Sequence, residues 1–153
     1  ARVGMRTNVP ELRAARATDL PAVIELLETS GLPTGDLTEA MLASFCVADE
    51  DGGVVGVVGV EVFGTCALMR SLAVAPARRG RGVAARLVEW CEAEARRRGV
   101  ETNYLLTTTA VEYFKMRGYT EVPRAAVPVV IAGHAQFRSL CPTSAKCLAR
   151  RLL

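Results

Sequence analysis

The stretch Ser71-Leu-Ala-Val-Ala-Pro-Ala-Arg-Arg-Gly-Arg-Gly-Val-Ala-Ala85 sharply narrows the folds open to this chain. An apolar, strand-like run enters a turn of glycine and arginine, and the turn opens directly into a helix. From residue 82 to residue 98 the apolar side chains fall at Val83, Leu87, Trp90, Cys91 and Ala95, the spacing of one helix face. Gly99 ends that helix. A helix start carries N–H groups with no internal acceptor and the positive end of a dipole, so it attracts anions. Gly80 and Gly82 have no Cβ, which lets a ligand approach the backbone closely. Each N–H bond to a charged phosphate contributes about 1.5–3 kcal/mol. Several such amides hold a pyrophosphate without help from a lysine.

The flanking segments place this turn in a sheet. Residues 12–17 read as a short first strand. Thr18 is placed to cap a helix, with Asp19 in the first turn and Pro21 near the start. Leu20, Val23, Ile24 and Leu27 continue it at helical spacing, and Gly31 stops it. A second short helix is expected over residues 37–44. Three strands follow at 45–48, 54–63 and 66–74, joined by turns rich in Asp and Gly, and these short connections fit antiparallel pairing. After the long helix, residues 100–106 form a strand able to pair parallel with 66–74. A helix at 109–117 and strands at 119–122 and 144–148 complete the chain. The expected fold is α/β: a mixed, mostly antiparallel sheet with helices on both faces. The expected domain runs over residues 12–153, after an N-terminal extension, 1–11, that is free to be flexible.

Composition removes several classes of function. Half of the residues are hydrophobic and 23% are charged, which supports a packed core rather than a disordered chain. The longest apolar run, 54–60, contains two glycines and falls well short of a membrane span. No basic-then-apolar leader opens the chain, so a cytoplasmic location is expected. Of the 19 basic residues only Lys115 and Lys146 are lysines. Arginines cluster at 78, 79 and 81 and again at 96–98, but few aromatic side chains accompany them, which argues against nucleic acid. The 96–98 cluster suits the C-terminal end of a helix dipole. Five cysteines without a CxxC pair, and one histidine, argue against a disulfide framework or a metal site.

Two ligand classes suit the glycine turn. Gly80-Arg-Gly82-Val-Ala-Ala85 matches a GxGxxA dinucleotide fingerprint. That fingerprint needs its first glycine directly after the strand, whereas Pro76, Ala77, Arg78 and Arg79 intervene here. Its acidic residue should end the next strand, and Glu101 instead stands at the beginning. The second class is coenzyme A. Arg79-x-x-Gly82-x-Ala84, after Leu72-Ala-Val74-x-Pro76, resembles motif A of the GNAT family of N-acetyltransferases. The family's element order resembles the one read above. The resemblance implies that amides of Arg79, Gly80, Arg81, Gly82, Val83 and Ala84 hold the pyrophosphate of acetyl-CoA. It also implies that Leu72, Ala73 and Val74 pair with the pantetheine arm, and that Phe114 lies against the cosubstrate. Further motifs resemble the arsenic-resistance N-acetyltransferases within that family: Glu61-Val-Phe-Gly64, Leu68-Met-Arg-Ser-Leu-Ala-Val74, Leu105-Leu-Thr-Thr-Thr-Ala110, Arg124-x-x-x-Pro128 and Gln136-Phe-x-x-Leu-Cys-Pro-x-Ser-Ala145. They imply a small zwitterionic amine as substrate, an organoarsenical amino acid such as arsinothricin or a phosphorus analogue.

Acetylation of an ammonium needs a base. Glu61 is the candidate, as the lone charge of an apolar strand; its other reading is an ion-pair partner for Arg70. His134, in a Gly-His-Ala loop, is the second candidate and reads more simply as a surface residue. Arg70 and Arg124 are candidates to grip an anionic substrate group, because a guanidinium fork matches a carboxylate, phosphinate or arsinate. Ser71 and Thr107 are candidate substrate hydrogen-bond partners, the threonines 107–109 reading equally well as helix caps. Many family members carry Phe-Tyr-x-x-x-Gly, with the tyrosine as acid for the leaving thiolate. Here the run is Tyr113-Phe114-Lys-Met-Arg-Gly118, so Phe114 has no proton to give. That departure keeps a non-catalytic CoA- or arsenic-sensing module as the alternative. Cys141 and Cys147 are the thiols an arsenic site would use, although soft-metal sites usually gather more ligands. A homodimer is compatible with the chain; nucleic acid and membrane partners are not expected.

Overall fold

The computed structural model describes residues 9–140 and 143–153. Among these residues, seven strands are joined by four α-helices in the order β1 (Glu11–Ala14), α1 (Leu20–Thr29), β2 (Phe45–Glu50), β3 (Gly53–Phe63), β4 (Cys66–Val74), α2 (Val83–Arg97), β5 (Thr102–Thr107), α3 (Val111–Met116), β6 (Thr120–Val122), α4 (Val129–Ala132) and β7 (Lys146–Arg151). The strands form one sheet in the order β1-β2-β3-β4-β5-β7-β6. All neighbours are antiparallel except β4 and β5, which pair parallel across the α2 crossover.

Alternation along β2 shows how the sheet sorts its side chains. Cys46 and Ala48 join the core beneath α2, with Val83, Leu87, Val88, Cys91 and Ala95. Phe45 and Val47 point the other way, onto Val23, Leu26 and Leu27 of α1. A third cluster packs Ile131 of α4 and Val127 on Leu68 and Cys147. The helices therefore cover both faces. Glycines on β3 allow this close packing: a Cβ at Gly59 would stand 2.5 Å from the Phe45 ring, and one at Gly56 would stand 3.0 Å from Leu87.

Several boundaries differ from the sequence expectation. The first strand stops at Ala14, and Ala17–Asp19 is a 3-10 turn. The cause is Asp19, whose carboxylate accepts the Arg16 N–H at 2.7 Å and the Arg13 guanidinium at 2.8 Å. Thr18 thus lies inside the turn and Asp19 precedes α1. The helix expected at 37–44 is a 3-10 turn over Ala40–Ser44, a form favoured for short pieces. The last strand lies later, at Lys146–Arg151, because it runs beside the whole of β5 from Thr107 back to Thr102. α4 is additional, too short for a visible period.

Candidate active site

A cleft of about 550 Å³ opens where the one parallel pair separates. β4 and β5 are bonded only from Cys66–Leu68 to Thr102–Tyr104, and beyond that register they diverge. The freed part of β4, Met69 to Val74, makes one wall. Leu105 to Ala110, Tyr113 and Phe114 make the other. β4 is bulged here. Val57 of β3 pairs with Ala73 and Gly59 with Arg70, so Val58 alone faces Ser71 and Leu72. Ser71 takes a φ of +59°, a left-handed conformation that costs a non-glycine residue about 1–3 kcal/mol. The bulge bends the strand's unpaired edge at the point where the cleft begins.

The glycine turn closes one end of the cleft. After the 3-10 turn Pro76–Arg78, Gly80 and Gly82 adopt φ values of +78° and +80°, and α2 starts at Val83. A Cβ on either glycine would meet nothing within 4 Å, so the backbone here faces open space. The first amides of α2 have no helical acceptor. The three arginines have separate tasks. Arg78 holds Glu50 of β2 through two bonds, one of 2.6 Å. Arg79 bonds the Val74 carbonyl at 3.0 Å, joining the turn to the end of β4. Arg81 is exposed.

A charged group lies beside the other end, on the face that carries α1 and α4; of its members Arg70 lines the cleft, while Asp36, Glu61 and His134 stand behind it. Glu61 sits opposite Leu68 and Arg70 opposite Gly59, so their side chains emerge on one face at diagonal positions. The missing side chain at Gly59 leaves room for Phe45, whose ring Arg70 overlies at 6.0 Å. The Arg70 side chain is wholly buried, and four of its five N–H donors are engaged. Nε donates to Ser71 Oγ at 3.0 Å, Nη1 to Glu61 at 2.9 Å and to Asp36, and Nη2 to Asp36 at 2.7 Å. His134 completes the group. Its Nδ1 accepts the Gln136 N–H at 3.0 Å, so in the neutral ring Nε2 carries the hydrogen and donates to Glu61 at 2.8 Å.

The electrostatics follow from these bonds. The Arg70 guanidinium holds the Asp36 carboxyl below its usual range despite partial burial. Burial pushes the Glu61 carboxyl up, but the bonds from His134 and Arg70 outweigh it and leave the group below its ordinary value. Burial opposes the charge on Arg70, and the two carboxylates more than restore it. Asp36, Glu61 and His134 place ligand atoms within 4.8 Å of one another. The guanidinium already donates to both carboxylates, as a cation would.

Most of the expected site residues meet in this cleft. Arg70, Ser71, Leu72, Ala73, Val74, Arg79, Ala84, Thr107 and Phe114 all line it. Gly80, Arg81, Gly82 and Val83 form the adjoining turn. Arg124 lies elsewhere, in a smaller hollow with Glu121, Pro123 and Lys146, donating to the carbonyls of Ala145 and Phe137. Thr107 Oγ1 caps α3 by accepting the Ala110 N–H at 3.0 Å, while its residue still borders the cleft. His134 is not the surface residue its loop suggested: its side chain is only 9% exposed because both ring nitrogens are engaged. Asp36 was absent from the sequence reading, and Tyr113 and Gln136 stood there only inside motifs, with no site role assigned. Asp36 is 34 residues from Arg70, and no local pattern links them. Cys147 is buried, and burial pushes its thiol up to about 11, so it is a poor thiolate ligand at neutral pH. Cys141 lies outside the described residues. The 96–98 arginines end α2 as the dipole argument expects, Arg97 pairing with Glu94 at 2.6 Å and Arg96 bonding the Leu152 carbonyl. Among the described residues no helix is long and apolar enough to cross a membrane.

Comparison with known proteins agrees with this architecture. The chain is 29% identical over 120 residues to the amino-acid acetyltransferase of Mannheimia succiniciproducens and 30% identical over 121 residues to that of Ralstonia nicotianae. These matches cover 73% and 74% of the chain but only 27% of each relative, so the chain spans about a quarter of their length. Among solved structures, N-acetylglutamate synthase from Neisseria gonorrhoeae, complexed with coenzyme A and N-acetyl-glutamate, superposes with a TM-score of 0.83 at 23% identity, over 97% of this chain and 36% of that one. Rv2747 from Mycobacterium tuberculosis, in complex with CoA and NLQ, gives 0.79 at 24% identity over 94% of this chain and the whole of that one. The acetyltransferase (GNAT) domain model matches residues 42–121, from the turn before β2 through α2 and the cleft to β6, and on that match the chain belongs to the GNAT acetyltransferase family.

Proposed function

We propose that this chain is an N-acetyltransferase domain that moves an acetyl group from acetyl-CoA to the amine of a small amino acid. The observation that carries this reading is the cleft at the separation of β4 and β5, with an anion-seeking turn at one end and an ionised carboxylate group near the other. The amides from Arg79 to Ala84 would hold the pyrophosphate. The unpaired edge at Leu72, Ala73 and Val74 would bond the pantetheine arm as an added strand does. Phe114, 4% exposed and packed edge-on against Tyr113 and Tyr119, gives this wall a rigid apolar surface. Acetyl-CoA supplies the acyl thioester.

Glu61 is charged at neutral pH and is held in place from two sides, by Arg70 and by His134. Such a carboxylate draws in an ammonium and accepts its proton, directly or through water, as the amine becomes a nucleophile. Arg70 acts through Glu61 and Asp36; an anionic substrate group would have to displace Asp36 to reach its fork. Amino acids are the substrate class because the curated relatives are amino-acid acetyltransferases and the gonococcal synthase holds N-acetyl-glutamate. An organoarsenical amino acid of the arsinothricin type is a narrower choice within that class, supported by the motif resemblance.

The test is calorimetry with acetyl-CoA together with thiol release over a panel of amino acids that includes an arsinothricin-type compound. We expect binding of acetyl-CoA and acetylation of at least one member. Tight binding without turnover on the whole panel would favour a sensing module instead. Glu61→Gln should lower kcat by roughly a hundredfold or more, the usual contribution of a positioned base, with acetyl-CoA affinity kept. An unchanged kcat would remove Glu61 from the reaction.

A further inference from the structure

Gln136 is 5% exposed, yet its carboxamide makes no hydrogen bond among the described residues. Its amide atoms are not among the fully buried, unpartnered polar atoms, so they reach the accessible surface, where such a group faces water or a ligand. Gln136 lines the cleft between β4 and β5. Its main chain is fixed, because its N–H is bound to His134 Nδ1 and the other nitrogen of that ring is bound to Glu61. Gln136 therefore belongs to the Glu61–Arg70 end of the cleft and not to the glycine-turn end.

Among the described residues, that end of the cleft has only Arg70 as a cation on its wall. Four of the five Arg70 N–H donors are engaged by Asp36, Glu61 and Ser71 and the side chain is wholly buried, while Arg79 sits at the far end on the Val74 carbonyl. A zwitterionic substrate still brings a carboxylate, or a comparable anionic or amide group, into this space. Resting on the transferase reading above, we propose that Gln136 determines substrate specificity: its Nε2–H donates to an anionic or amide oxygen of the amino acid, and its Oε1 is free to accept an N–H. The neutral donor explains how an anion is admitted without competing with Asp36 for Arg70.

The experiment compares wild type, Gln136→Glu and Gln136→Met with glutamate, glutamine, norvaline and an arsinothricin-type amino acid, following thiol release, with acetyl-CoA affinity measured by calorimetry. Gln136→Glu replaces the donor by a like charge at the same size, and Gln136→Met keeps volume without either polar atom. For the polar or acidic substrate that wild type prefers, KM should rise about tenfold or more in both variants, and selectivity over norvaline should collapse. The acetyl-CoA affinity should stay within about threefold, which also shows that each variant is folded. Unchanged selectivity in both variants, or a loss confined to acetyl-CoA, would overturn the assignment while leaving the transferase reading intact. A wild-type protein that acetylates nothing on the panel would overturn both.

Discussion

Arg70 shows how a single buried charge organises its surroundings. Its guanidinium meets Asp36 from the loop after α1, Glu61 from β3 and Ser71 from the bulge in its own strand. Removing one partner of a buried ion leaves it undercompensated. Asp36→Asn keeps the shape but takes away the charge and part of the bonding, so it should destabilise the fold by about 1.5–3 kcal/mol. A lowered urea midpoint with an unchanged slope would show this, and unchanged stability would mean that the pair adds nothing. Acetyl-CoA affinity should stay as it was, since the glycine turn is not touched. At this scale the sequence was only partly legible. Glu61 stood out as one charge in an apolar strand. Asp36 did not, and His134 ranked only as the second candidate base, because their value comes from meeting Glu61 and Arg70 in space, and no spacing rule spans 34 or 73 residues.

Elements were easier to read than contacts where punctuation is strong. β4 lies between Gly64 and Pro76, and its expected limits, 66–74, match the structure. α2 differs from expectation by one residue at each end, because Gly82 and Gly99 bracket a clear apolar stripe. The weak points were elements decided by side chains rather than period: the Asp19 carboxylate that cuts β1 short, and α4 with four residues. The turn between β4 and α2 yields a prediction of its own. Gly82 holds φ at +80°, where a β-branched side chain is strained whatever space surrounds it. Gly82→Val should therefore move the turn and raise the KM for acetyl-CoA about tenfold or more, with a smaller effect on the amine substrate. Saturation kinetics in each substrate separates the two, and an unchanged acetyl-CoA KM would detach this turn from the cosubstrate.

Across the whole molecule, two polar networks tie the sheet to its helices. Glu92 of α2 accepts from Tyr119 at 2.8 Å and from Arg150 of β7 at 2.9 Å, and Asn103 of β5 donates to Tyr119. On the other side, carboxylates clamp the β1–β4 half: Asp19 and Asp49 on Arg13, Asp36 and Glu61 on Arg70. The carboxyls of this second set lie below their ordinary values, in each case through bonds to arginine, joined by His134 at Glu61 and opposed by burial. Below pH 5 the unfolded chain therefore binds more protons than the folded one, and stability falls as pH falls. The contribution is complete above the ordinary values of 3.8 for Asp and 4.5 for Glu, and it is lost as pH descends through the lower folded values. Melting temperature should be insensitive to these groups between about pH 5.5 and 7 and decline steeply below about pH 4. Asp36→Asn removes one of the depressed groups, so its melting temperature should lose less than wild type over the same acid range. A wild-type curve that stays flat to pH 3, or a variant curve parallel to it, would contradict the clamp.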